Sequence, residues 1–120
     1  MVDPVLVARR LRHENEREAE LLSRRRLDAQ KLGRELADRI LSLHPEVRRV
    51  WGIGSTFEEW RSYRSTSDID LAIESGDVLS LMPLVEGEEM EVDLVDLSSC
   101  DAAFADFIRQ QGVILAEVPA

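Results

Sequence analysis

The sequence predicts a mixed α/β or α+β domain carried behind one long helix, with a sheet of about four strands and flanking helices. Two observations carry the fold class. Between Pro4 and Leu43 no further proline intervenes and Gly33 is the only glycine, so the segment has nothing to break a helix. From residue 46 onward, short apolar runs of strand length alternate with helix-length stretches, in the order strand, helix, strand, short element, strand, helix, strand. A third observation concerns chemistry. Asp68 and Asp70 are two apart at the start of an apolar run, and in a strand such residues share one face.

Asp3 precedes Pro4 and is placed to cap the first helix, with proline tolerated in its first turn. The helix runs to Leu43 either unbroken or as two segments joined near Ser23. Leu22, Ala29, Leu32, Leu36, Ile40 and Leu43 recur at helical spacing and form one apolar stripe. Arg12 to Glu18 is entirely polar, so that turn projects into solvent. The run Arg24-Arg25-Arg26, with Glu18, Glu20 and Asp28 around it, reads as a solvated face.

His44 ends the helix because the residue before Pro45 is pushed out of helical geometry; it reads as a terminal helix residue, not a ligand. Val47 to Ile53 is the first strand, and Gly52 and Gly54 mark a close approach of backbone at its end. Ser55 to Trp60 is expected to open a short helix, and Arg61 to Ser67 to form a loop. Asp68 to Glu74 is the second strand, burying Ile69, Leu71 and Ile73. After the Ser75-Gly76-Asp77 turn, Val78 to Val85 suits a short helix or a strand, since Pro83 argues against both. Glu86 to Glu89 is a charged turn, Met90 to Leu97 a third strand, and Ser98 is expected to cap a helix ending at Gly112. Val113 to Val118 is the last strand.

The 120 residues suffice for one small domain with a real core. No apolar stretch approaches the roughly 18 residues that span a bilayer, and the N-terminus lacks the pattern of a signal peptide, so a cytoplasmic location is expected. Cys100 is the only cysteine, which excludes internal disulfides and cysteine-rich zinc sites. Residues 1 to 50 carry twelve Lys or Arg against nine Asp or Glu, a balance of +3, whereas residues 51 to 120 carry three against fifteen, a balance of −12. So acidic a half argues against general binding of nucleic acid, whose phosphates select basic surfaces. A nucleotide substrate stays compatible, because a bound cation inverts the local sign.

The paired carboxylates suit a hard divalent ion such as Mg2+, which takes oxygen ligands from a few carboxylates and from substrate phosphates. A strand ending in Gly54-Ser55 and leading into a helix would place backbone N–H groups, a hydroxyl and a positive helix terminus together as an anion site. The run Val92-Asp93-Leu94-Val95 then offers a third carboxylate. Asp96 reads as a structural or rim residue. Trp60 and Tyr63 invite base stacking, but at helical spacing they fit a small core better.

Three segments, Val50-Trp51-Gly52-Ile53-Gly54-Ser55, Ser67-Asp68-Ile69-Asp70-Leu71-Ala72 and Val92-Asp93-Leu94-Val95-Asp96-Leu97, resemble in order the motifs of the minimal nucleotidyltransferases of the DNA polymerase β-like superfamily, including the antitoxin partners of HEPN-domain toxins. The resemblance covers residues 45 to about 117, which divides the chain into a helical extension, 1–44, and a nucleotidyltransferase domain, 45–120. It implies the palm-like nucleotidyltransferase fold, Gly54 and Ser55 as the phosphate-binding pair, and Asp68, Asp70 and Asp93 as catalytic carboxylates holding up to two Mg2+ ions. It also implies transfer of a nucleoside monophosphate, AMP from ATP foremost, to a hydroxyl of a macromolecule. The expected acceptor is a partner protein such as a HEPN-like toxin, with the long helix as a docking or homo-oligomerisation element. Two departures stand out. Twelve residues separate Ser55 from Asp68 where the family usually has ten, and the arginine that usually follows Gly-Ser is absent, leaving Arg61 and Arg64 to reach the phosphates from the longer loop. The departures favour a competing expectation, a binding module of the same fold that acts by complexing its partner.

Overall fold

The computed structural model describes residues 2–119. Helix α1 is unbroken from Pro4 to Leu43, with no joint at Ser23. Asp3 caps it by accepting a 2.9 Å bond from the Val5 N–H. Strands β1 (Arg49–Ile53), β2 (Ile69–Glu74), β3 (Val92–Asp96) and β4 (Val113–Glu117) form one sheet in the order β3-β2-β1-β4. β1 runs antiparallel to β2 and β4. β2 and β3 are parallel, which requires a crossover. Helix α2 (Val78–Val85) supplies it, resolving the ambiguous segment as a helix with Pro83 inside it. No helix among the described residues is long and apolar enough to cross a membrane.

The sheet is covered on both faces. On one, Ala29, Leu36, Ala37 and Ile40 of α1 and Leu81 and Val85 of α2 pack on Val50, Ile69, Leu71 and Ile73. On the other, Ala105 and Ile108 of α3 (Ala102–Gln111) pack on Trp51, Ile53 and Ala72. The second half of α1 is therefore part of the core shared with residues 45 onward. Its first half is different: Val5, Leu6, Leu11 and Leu21 are exposed, and the molecule extends over 67 × 31 × 24 Å.

Two expected helix starts are displaced. Residues 55–60 form turns instead of a helix. Phe57 dives into the core, and the carbonyls of Thr56 and Glu58 accept from Arg26 and Gln30 of α1 at 2.8–3.4 Å. Side chains of α1 thus satisfy groups that a local helix would have used. Arg26 is correspondingly not on a solvated face. Ser98 does not cap α3 either. The Asp96 carboxylate takes both the Ser98 N–H, at 3.0 Å, and the Ser98 hydroxyl, at 2.7 Å, in a 3-10 turn, Leu97–Ser99. Asp101 caps α3 instead, accepting from Phe104 N–H at 2.8 Å. The third strand is correspondingly shorter than Met90 to Leu97.

Phe57 is the wedge between α1 and the sheet. A Cβ on Gly33 of α1 would overlap its ring, and one on Gly52 of β1 would come within 2.5 Å of it. The two glycines clear a slot for one aromatic ring. At an ordinary exposed helical position, Gly→Ala stabilises by about 1 kcal/mol. Gly33→Ala should instead cost roughly 1–3 kcal/mol in urea denaturation, as overpacking does, and the same substitution in a Phe57→Ala background should be stabilising relative to that background.

Candidate active site

β2 and β3 place their acidic residues by register. Asp70 lies beside Asp93 in the parallel ladder, and opposite Ile53, the last residue of β1. Asp68 shares the face of Asp70, and Glu91 that of Asp93, because residues two apart point the same way. This is the α3 face of the sheet. At the next even position of β2 stands buried Ala72, under α3, so the carboxylates emerge where the cover of α3 ends.

Carboxylate oxygens of Asp68, Glu91 and Asp93 all lie within 4.8 Å of one another. Asp70 is half-buried behind them, and its carboxyl is pushed up to about 6, first by burial and then by the charges of Asp93 and Asp68 and a hydrogen bond with Asp93; Arg61 acts in the opposite direction. Such a cluster of hard oxygen donors fits a divalent cation. Glu91 is not among the site residues the sequence reading singles out, although it lies within the expected third strand, two residues before Asp93. The i, i+2 rule applied to Asp68 and Asp70 applies equally to Glu91 and Asp93.

Gly54 is at φ +76°, a conformation that favours glycine, and a Cβ there would meet Asp70 Oδ2 at 2.7 Å. Both constraints let the backbone after β1 pass against the carboxylate. The Gly54 N–H donates to Glu58 Oε2 at 3.1 Å, and the Ser55 hydroxyl to Ser67 Oγ at 2.8 Å. Thr56, fully buried, donates from Oγ1 to the Asp68 carbonyl at 2.7 Å. The turn at the end of β1 is thereby tied to the start of β2 twice, and Asp68 is held at the site although it precedes the strand.

Arg61 is brought in by the longer loop. Its Nε pairs with Glu58 Oε2 at 2.7 Å, its guanidinium stacks on the Trp60 ring at 4.7 Å, and its charge is felt at Asp70. Arg64 contributes a backbone N–H to Ser67 Oγ at 3.0 Å, while its side chain lines a groove with Leu21, Leu22 and Tyr63, apart from the carboxylates. Trp60 is not a core residue but 64% exposed; Phe57 has taken the buried position. Tyr63 is half-buried beneath Arg26, whose guanidinium lies 5.7 Å from its ring centroid. Asp96 is structural, as its capping bonds require.

Fold and site together define a nucleotidyltransferase fold: a mixed sheet whose first strand is followed by a Gly-Ser turn and whose next two strands carry acidic residues beside it. Comparison with solved structures agrees. The chain is similar to one in the crystal structure of a toxin–antitoxin with AMP-PNP, at 25% identity and a TM-score of 0.56, covering 71% of this chain and 73% of that one. It is also similar to one in the crystal structure of the toxin–antitoxin MntA-HepT, at 23% identity and a TM-score of 0.52, covering 73% of each chain; MntA is a minimal nucleotidyltransferase. No protein-family model and no curated protein matches the chain.

Because folding raises the Asp70 pKa from 3.8 to about 6, the fold favours the protonated acid. That contribution to stability is complete below the unfolded value and is lost as pH rises through about 6. In buffer free of divalent cations, Asp70→Asn should therefore raise the melting temperature relative to the native chain at about pH 7.5. The advantage should shrink through about pH 6 and disappear by about pH 4, as thermal melts across pH will read.

Proposed function

We propose that the protein is a Mg2+-dependent nucleotidyltransferase that moves a nucleoside monophosphate, AMP from ATP foremost, onto a hydroxyl of a partner protein, and that it serves as the antitoxin of a toxin–antitoxin pair. The observation that carries this reading is the convergence of Asp68, Glu91 and Asp93 within 4.8 Å, with Asp70 behind them, next to the Gly54-Ser55 turn. The structural neighbours support the antitoxin role, and the one solved with AMP-PNP supports an adenine nucleotide.

In this reading Asp68, Asp70 and Asp93, joined by Glu91, would hold one or two divalent ions. Cations there would neutralise phosphate charge and lower the pKa of the acceptor hydroxyl. The Gly54-Ser55 turn and Arg61 would fix the triphosphate so that its α-phosphorus presents one face to the acceptor hydroxyl, whose oxygen forms the new bond as the Pα–O bond to the β-phosphate breaks and pyrophosphate leaves from the opposite face. Positioning of this kind converts a bimolecular encounter into a local one. Asp93 is the alternative base, taking the proton from the attacking hydroxyl when no second ion is bound. The acceptor is a tyrosine, serine or threonine of a HEPN-like partner, and the projecting half of α1 is the element on which the partner or a second copy docks.

One observation favours a second reading, a binding module that neutralises its partner by covering it. The Gly54 N–H and the Ser55 hydroxyl, both assigned to phosphate, are each engaged within the chain, by Glu58 and Ser67. Labelled ATP with Mg2+ and lysate from the source organism separates the two. The transferase reading predicts labelled protein with the native chain and a loss exceeding about 100-fold in the Asp68→Ala, Asp70→Ala double variant, since even outer partners of metal ligands cost about 10–100-fold. Undiminished labelling by the double variant would remove the metal assignment, and absence of labelling with either chain would leave the binding module.

A further inference from the structure

Glu58 is a carboxylate at 3% exposure, in a chain whose other acidic residues outside the site are largely at the surface. A buried charge is tolerated only with a counter-charge and hydrogen bonds. Glu58 has both on one oxygen: Oε2 accepts the Gly54 N–H at 3.1 Å and pairs with Arg61 Nε at 2.7 Å. The carboxylate lies beneath the turn, while the Arg61 side chain above it is 41% exposed.

This arrangement orients a guanidinium. Its Nε edge is fixed by Glu58 and one of its faces by the Trp60 ring at 4.7 Å. The two terminal nitrogens of the fork have no partner side chain among the described contacts, and Asp70 feels the charge. An arginine restrained in this way loses less freedom on binding a phosphate than a free one. The backbone supports it too, since Arg26 of α1 donates to the Glu58 carbonyl at 3.0 Å and to the Arg61 carbonyl at 3.5 Å. The family's arginine, which follows Gly-Ser after one small residue, is absent here, and Arg61, six residues beyond Ser55, carries its own buried counter-ion.

We propose that Glu58 is a positioning residue: it holds Arg61 so that the outer edge of the guanidinium meets the phosphates of a bound nucleoside triphosphate, and it fixes the Gly54 turn from beneath with the same oxygen. The proposal rests on the nucleotidyltransferase reading for the identity of the anion. It assigns to Glu58 an effect that exists only through Arg61.

The test is a double-mutant cycle read by calorimetric titration of Mg-ATP, with inorganic tripolyphosphate as a competitor that reports on phosphate alone. E58Q keeps an acceptor for the Gly54 N–H while removing the charge facing Arg61. E58Q and R61Q should each weaken ATP by about tenfold or more, as expected for loss of a charge-assisted contact, with tripolyphosphate weakening in parallel. The double variant E58Q/R61Q should bind no more weakly than R61Q, because the two act as one unit. Urea denaturation of all four chains separates the affinity change from a stability change. Additive losses, or ATP affinity that E58Q leaves unchanged or tightens, would overturn the proposal. Mg-dependent ATP binding that D68A/D70A abolishes but E58Q and R61Q leave alone overturns the proposal and keeps the transferase reading. ATP binding that needs Glu58 and Arg61 but not Asp68 and Asp70 does the reverse, and a native chain that binds neither probe overturns both.

Discussion

The parallel pairing of β2 with β3 is the constraint on which the rest of the structure depends. Its register sets Asp70 beside Asp93 and, through the alternation of strand side chains, gathers Asp68 and Glu91 onto the same face. Burial first, and then the charges of Asp93 and Asp68, raise the Asp70 pKa there. A fold selected for stability alone would place a neutral or basic residue at one of these positions. The chain keeps acidic residues at all of them and places one arginine, Arg61, within electrostatic reach.

The second requirement is to bring the end of β1 against this cluster and hold it there. Gly54 allows the approach, since any side chain would meet Asp70 Oδ2. Phe57 then anchors the following turn in a slot cleared by Gly33 and Gly52. Arg26 and Gln30 fasten its carbonyls to α1, and Thr56 fastens it to Asp68. Helix α1 therefore has two physical roles divided along its length. The part from about Arg25 onward packs on the body and supports the site, and the preceding part projects from it.

Much of this was legible in the sequence because it follows from local rules. Strand alternation placed Asp68 and Asp70 on one face, Pro45 ended α1 at His44, and the order of strands and helices gave the fold class. What escaped depended on contacts distant in sequence. The helix expected at Ser55 to Trp60 is absent because Arg26 and Gln30, roughly thirty residues earlier, bond to its carbonyls. Arg26 looked like part of a solvated basic run for the same reason seen from the other side. Ser98 has good capping chemistry, but Asp96 engages it first. Glu91 follows from the alternation rule as well, since it lies two residues before Asp93 in the expected third strand. Arg61 as the arginine nearest Asp70, and Glu58 beneath it, were visible only once the loop was folded.

The transferase chemistry depends on whether the four clustered acidic residues hold a divalent ion in the presence of nucleotide. Water-proton relaxation enhancement of Mn-AMP-PNP titrated with the protein measures this directly, with Mn-AMP-PNP alone as reference. The native chain should raise the enhancement well above that of Mn-AMP-PNP alone, and Asp93→Asn should return it to the reference with the fold intact by circular dichroism. An enhancement that Asp93→Asn leaves unchanged, or a native chain that gives none, is the contrary result.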